Sequence, residues 1–398
     1  MSSIAIPLDC QKSQFSLPEG HCYLNSAFMG PLPRRVEQAG VQALAARAAT
    51  MTMSPTDFFD PAERTRKLCA QLVQADPERV AFVPTVAYAT AIAAKNLQPR
   101  PGQNVVLLGD MFPSNVYAWR NWRDVKVEMR TVHAPHADHL AAAGGGSRAS
   151  RWNDAIVNAI DQETALVALE QAHWTDGVLF DLERIGARCR QVGAILVIDA
   201  TQTVGAMPFD VRRVQPDLLV VHSYKSMLSN YGLGFAVFSD RFLDASPLEE
   251  SWLTRAGSEN FARLVDYQDA YAKGMRRFDT SLRANPILIY MLEAACELLL
   301  EWGPGRIREY LLNIERRPIA RMMSEGFEIA DEQDRCANLF GIKLLHGMDP
   351  ELCRQELKKR NIHVAVRGDS VRVSPHVYND ERDMDRLVDA LLQLAHST

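Results

Sequence analysis

Six short, almost wholly apolar runs recur at residues 79–83, 104–108, 164–169, 194–198, 217–221 and 233–238. Their Val, Ile and Leu content suits strands covered on both faces. Helical patterns lie between them, as at residues 87–97 and 182–192. Such alternation predicts an α/β fold built on a mainly parallel sheet. The run at 233–238 follows its predecessor after too short a connection for a crossover helix, so it is expected to run antiparallel.

After Pro286 the texture changes. Residues 287–302 read as one long helix stopped by Gly303 and Pro304. Strand candidates follow at 340–345 and 371–374, and a last helix begins near Asn379 or Asp380, either of which can cap it. Met384, Leu387, Val388, Leu391 and Leu392 then fall on one apolar face. Three parts are expected: residues 1–30 joining a smaller C-terminal domain, a large α/β domain over 31–286, and a small α+β domain over 287–398. The stretch 141–150, with Gly144, Gly145 and Gly146, reads as a flexible surface loop.

Composition narrows the function classes. With 398 residues, the chain has room for two or three domains at roughly one per 150 residues. Lys plus Arg is 44 against 49 Asp plus Glu, a net charge of −5, which does not favour a nucleic-acid binder. No run reaches the ~18 apolar residues of a membrane helix; the best candidate, 287–300, contains Glu293 and Glu297. The first residues show no basic region followed by an apolar core, so no secretory signal is expected. Seven cysteines without a CxxC pair suggest neither a zinc module nor a disulfide framework, and a reducing cytoplasmic setting is the simplest expectation.

Two strand ends carry the chemistry. The run 194–198 leads into Asp199, with Gln202 three residues on, and the run 217–221 leads into His222, Ser223, Tyr224 and Lys225. Ligands of open α/β sheets sit outside the carboxyl ends of strands. Alone, Asp199 reads as a helix cap and Lys225 as a solvated surface lysine. Together they match the needs of pyridoxal phosphate: a lysine to form a Schiff base, and an acid to keep the pyridine nitrogen protonated.

These motifs resemble those of the class V aminotransferases, fold type I pyridoxal-phosphate enzymes that include cysteine desulfurases, kynureninases and isopenicillin N epimerase. The resemblance runs from Tyr23-Leu-Asn25-Ser-Ala27 to Val371-Arg372-Val-Ser-Pro-His-Val-Tyr-Asn379. It implies a large α/β domain with a mainly parallel seven-stranded sheet, a smaller α+β domain, pyridoxal 5′-phosphate as cofactor, an amino-acid substrate, and a homodimer with active sites at its interface. Lys225 and Asp199 are the implied catalytic residues. Thr85 and Val86, at a helix start suited to phosphate, take the phosphate with His222 and Tyr224. Phe112 stacks on the ring, Gln202 and Trp174 stand beside its phenolic oxygen, and Asn285, with Arg283 as companion, reaches the phosphate of the other subunit. Arg372 takes the substrate carboxylate as a bidentate fork, and Asn25 lines the same pocket.

Departures from particular members narrow the reaction. The stretch Arg367-Gly-Asp-Ser370 lacks the nucleophilic cysteine that desulfurases place before the substrate arginine, with Cys336 only a remote substitute. Gln202 and Asn115 stand where kynureninases carry His and Asp, and Phe112 where desulfurases carry His. Aminotransferase, β-lyase (C–S or C–C) and epimerase chemistry remain, with a non-catalytic binding protein of the same fold as the alternative from another class. His133, His136 and His139 could suggest a metal, but Pro135 breaks the helix that their spacing would need, so no metal site is expected.

Overall fold

The computed structural model describes residues 6–135 and 146–396. In chain order the strands are β1 (Cys22–Tyr23), β2 (Val80–Val83), β3 (Asn104–Leu108), β4 (Glu128–Val132), β5 (Thr164–Glu170), β6 (Ile195–Asp199), β7 (Leu218–His222), β8 (Gly234–Phe238), β9 (Phe340–Lys343), β10 (Ile362–His363), β11 (Ala365–Arg367) and β12 (Ser370–Val373). The helices are α1 (Arg34–Ala48), α2 (Asp60–Leu72), α3 (Val86–Asn96), α4 (Ser114–Arg120), α5 (Arg148–Ala159), α6 (Leu182–Val192), α7 (Val211–Val214), α8 (Pro286–Trp302), α9 (Pro304–Ser324), α10 (Pro350–Lys359) and α11 (Glu381–Ala395).

Seven strands form the central sheet in the order β2-β8-β7-β6-β5-β3-β4. The pairs from β7 through β4 are parallel, whereas β8 runs antiparallel to both β7 and β2. This is the mainly parallel, seven-stranded α/β arrangement expected, with the sixth apolar run reversed as its short connection requires. The seventh strand, β4, has no apolar run. It lies at the sheet edge, where of its five residues only Val132 is buried.

Helix ends follow local chemistry. In α6, Asp181 accepts a hydrogen bond from the Arg184 amide, Leu182, Ile185 and Cys189 face the core, and Gly193 ends the helix at φ 78°. Asn285 Oδ1 accepts from the amides of Ile287 and Leu288, and Pro286 opens α8. Gly303 stops α8 as expected, but Pro304 at once begins a further helix, α9, which the sequence reading lacks and which continues through Pro318. Asp380 caps α11.

The remaining strands form smaller units. β11, β12 and β9 make an antiparallel sheet, and β1 pairs in parallel with β10, so the N-terminal segment lies against the C-terminal one. Asn25 bridges Ser374. Of the stretch expected as a loop, 141–145 lie outside the described residues and 148–150 are corrected to the first turn of α5, capped by Ser147. His136 and His139 also lie outside them. Among the described residues no group of side chains is arranged to hold a metal ion, and no helix is long and apolar enough to cross a membrane.

Candidate active site

The carboxyl edge of the parallel strands gathers most of the expected residues around one cavity of about 190 Å³. β6 delivers Asp199, followed by Thr201 and Gln202; β7 delivers His222, followed by Tyr224 and Lys225. The loop after β3 carries Phe112 and leads into α4 at Ser114, and β5 contributes Glu170 with Trp174 beyond it. Thr85 caps α3 by accepting from the Tyr88 amide at 3.0 Å, so the positive end of that helix, with Val86 and Ala87, opens onto the cavity.

Lys225 is 7% exposed, and its Nζ has no carboxylate within 4.0 Å among the described residues. It lies 5.4 Å from the ring centroids of both Phe112 and Tyr224. Burial lowers its ammonium to about 8, so a large fraction is free amine in mildly alkaline solution. A close backbone approach holds the neighbouring chain: Gly30 donates to the Tyr224 carbonyl at 2.9 Å, and a Cβ on Gly30 would stand 2.3 Å from the Lys225 carbonyl oxygen.

Asp199 is held from two sides. Its Oδ2 accepts from Asn115 Nδ2 at 2.8 Å, and its Oδ1 accepts from the Thr201 amide at 2.9 Å. His222 Nε2 lies 3.0 Å from the Pro84 carbonyl, and burial lowers the imidazole to about 4, so the ring is neutral at pH 7. Its Nδ1 and the Oε1 of Gln202 are buried without partners. Phe112 meets Trp174 edge to face, with centroids 5.6 Å apart.

Other expected residues lie apart. Arg372, 1% exposed, lies beside Trp174 and donates to its carbonyl at 3.0 Å, and is not part of the cavity lining. Asn25 is also outside that lining, with Oδ1 unpartnered. Asn285 caps α8 on another part of the chain. Arg283, its expected companion, is buried against Asp279 at 2.5 Å and is therefore engaged internally. Cys336 is fully buried, and burial raises its thiol to about 12, which leaves it a poor nucleophile.

Glu170 is the main residue that the sequence reading missed. It ends an apolar run just as Asp199 does, and that shared position was the available signal. Its Oε1 accepts from the Phe112 amide at 3.0 Å and its Oε2 from the Trp174 amide at 2.9 Å, so one carboxylate ties together the two loops that carry aromatic rings. Tyr231, from the turn before β8, has no such signal.

The set fits the expected cofactor. A buried lysine with no acidic partner among the described residues accommodates an aldehyde, a buried acid a ring nitrogen, an aromatic face a flat ring, and a helix start a phosphate. The unpartnered atoms of Gln202 and His222 are consistent with a polar ligand in the same space.

The family model described as aminotransferase class-V matches residues 22–387. An uncharacterized aminotransferase, YcbU, of Bacillus subtilis (strain 168) is 26% identical over 84% of this chain and 84% of its own. Isopenicillin N epimerase of Streptomyces clavuligerus is 24% identical, covering 92% of this chain and 93% of its own. Among solved structures, an apo cysteine desulfurase from Thermococcus onnurineus NA1 superimposes with a TM-score of 0.79 at 17% identity, over 100% of both chains, which shows a shared fold.

Proposed function

The chain belongs to the class V aminotransferase family, whose cofactor is pyridoxal 5′-phosphate, and from that premise we propose that it acts at the α-carbon of an amino acid with Lys225 as covalent anchor and base. One observation carries this assignment: Lys225 is buried, its amine without an acidic partner among the described residues, in the lining of a cavity that also holds Asp199. Thr85, Val86, His222 and Tyr224 would hold the phosphate, Asp199 the ring nitrogen, Phe112 the ring face, and Gln202 and Trp174 the phenolic edge.

When bound, the cofactor supplies an electron-accepting ring that stabilises negative charge at the substrate's α-carbon. Lys225 would be the base for the α-proton, and burial places its amine near the pKa that this task requires. Arg372 takes the α-carboxylate and so fixes which bond at the α-carbon is activated. Phe112 packs against the ring and exchanges no proton. A β-lyase or epimerase reaction is the second reading, supported for epimerisation by the isopenicillin N epimerase likeness.

The reading extends to a homodimer in which Asn285 contacts the phosphate in the other copy. Segments that reach the cavity expose large apolar side chains, which supports a second copy there: Phe28 at 60%, Tyr117 at 60%, and Tyr231 at 58%. A cytoplasmic setting suits seven unpaired cysteines.

The test is spectroscopic. Protein loaded with cofactor should show a visible band that answers added amino acids, and K225A should lose the covalent form. A protein that takes up no cofactor would be a binding module instead. In single turnover, a keto acid without ammonia identifies transamination, a keto acid with ammonia identifies β-elimination, and solvent deuterium at an inverted α-carbon identifies epimerisation.

A further inference from the structure

Two guanidiniums face one indole, with no anion between them among the described residues. Arg367 Cζ lies 5.1 Å from the Trp174 ring centroid and Arg372 Cζ 5.8 Å from it, both within cation–π range. The hairpin accounts for this. Arg372 stands opposite Ala365, and Arg367 is two residues beyond Ala365, so both arginines project from the same face as diagonal neighbours. Gly368, at φ 59°, makes the turn between the strands.

Elsewhere this fold neutralises its buried arginines. Arg66 and Arg283 share Asp279, and Arg335 pairs with Glu315. Arg367 and Arg372 have no carboxylate within 4.0 Å among the described residues. Arg367 Nη1 donates to the Val366 carbonyl at 2.7 Å and Arg372 Nη1 to the Trp174 carbonyl at 3.0 Å. Arg367 Nε, Arg372 Nε and Arg372 Nη2 are buried with no partner. Each guanidinium also lies in the repulsive field of the other. Arg372 is buried and Arg367 half-buried, unpaired charge is costly in proportion to its burial, and among the described residues nothing supplies the anion that a substrate group could.

A substrate α-carboxylate on Arg372 would satisfy one fork and leave the other unmet. We propose that Arg367 is a second anion site that takes an acidic group on the substrate side chain, so that the preferred substrates are α-amino acids carrying two anionic groups. This rests on the function proposed above, in which Arg372 holds the α-carboxylate. The amine would lie beside Lys225, the two acidic groups would go to two forks on one hairpin face, and Trp174 would form the shared wall.

The experiment titrates cofactor-loaded enzyme with L-alanine, L-glutamine, L-aspartate, L-glutamate and L-cysteate, following the visible band. At least one acidic amino acid should bind about tenfold or more tightly than glutamine or alanine, the worth of one charge-assisted hydrogen-bonded pair. R367A and R367Q should collapse that ratio toward one, and R372A should weaken every amino acid. Glutamine matching the acids in the wild-type enzyme, a comparison that needs no variant, would overturn the proposal. So would an R367Q variant that weakens neutral and acidic amino acids alike. In both cases the band still answers neutral amino acids, so the proposed function stands. A loaded enzyme with no band, or one that answers no α-amino acid, would overturn both.

Discussion

Glu170 and Asp199 stand opposite one another in register at the carboxyl ends of two adjacent parallel strands, and both carboxylates are buried in one cavity. Their donors separate their roles. Asp199 is fixed by the Asn115 side chain and the Thr201 amide, which suits it to the ring-nitrogen role proposed for it. Glu170 receives two backbone amides from two different loops, and so governs where Phe112 and Trp174 sit.

Removing the first acid should disable the chemistry rather than the fold. In D199A the ring nitrogen loses its partner, and kcat should fall by about 10²–10³ or more, the scale of losing a preorganised electrostatic contact. N115A leaves the acid but removes one of its two donors, and should cost about tenfold. Steady-state rates with a fixed amino acid compare the two. Near-normal turnover in D199A would contradict the role assigned to this residue.

The second acid should appear as a pH effect. Burial raises the Glu170 carboxyl from 4.5 to about 7; Asp199 adds to the rise, while His173 and the two amide donors oppose it. Lys225 shares the cavity and faces the same group. Between pH 4.5 and 7 the folded state keeps a proton that the unfolded chain has released, so this contribution to stability is present below 4.5 and lost as pH rises through 7. E170Q does not titrate, so its midpoint of denaturation should fall less than that of the wild type across this window. E170Q also leaves one of the two amides without an acceptor, at a cost of about 1–3 kcal/mol. Parallel pH curves for the two proteins would contradict this.

How far the sequence reveals this structure depends on the kind of signal. Buried strands appear as continuous apolar runs, so six of the seven strands could be read directly, β2 among them because it is buried although it lies at an edge. β4 could not, because an edge strand with Glu128 and Arg130 buries little. α9 was hidden behind Gly303 and Pro304, which stop one helix and start another with the same two residues. Within the site, Asp199 and Lys225 gain meaning from each other, whereas the pairing of Glu170 with loop amides and the face shared by Arg367 and Arg372 depend on register. Register is set by tertiary packing, and a single strand's pattern does not carry it.

Stability should be concentrated in an ionic cluster away from the cavity. Arg66 Nη2 meets Asp279 at 2.7 Å, Arg283 Nη1 meets it at 2.5 Å, and the Phe82 amide donates to it at 2.7 Å, all buried. D279A would leave the buried Arg283 guanidinium without an anion and Arg66 with Glu63 alone, and should cost about 3–5 kcal/mol. Chemical denaturation measures this loss. A loss below about 1 kcal/mol would mean that the arginines find water or other acceptors.

Lys225 sets the last expectation, for the rate at which the protein takes up its cofactor. Only the neutral amine attacks an aldehyde. A solvated lysine is neutral to an appreciable extent only near 10.5, but burial brings Lys225 to about 8. Covalent loading of cofactor-free protein should therefore accelerate with pH and level off just above 8, with no covalent band in K225A. The same shift has a stability consequence of opposite sign to that of Glu170. Between pH 8 and 10.5 the unfolded chain holds a proton that the folded protein has lost, so the penalty for burying the ammonium applies below 8 and is lifted as pH rises to 10.5. Cofactor-free wild-type protein should gain stability over that interval relative to K225M, which has no charge to bury. Loading that continues to accelerate up to pH 10 would show that Lys225 behaves as a solvated amine.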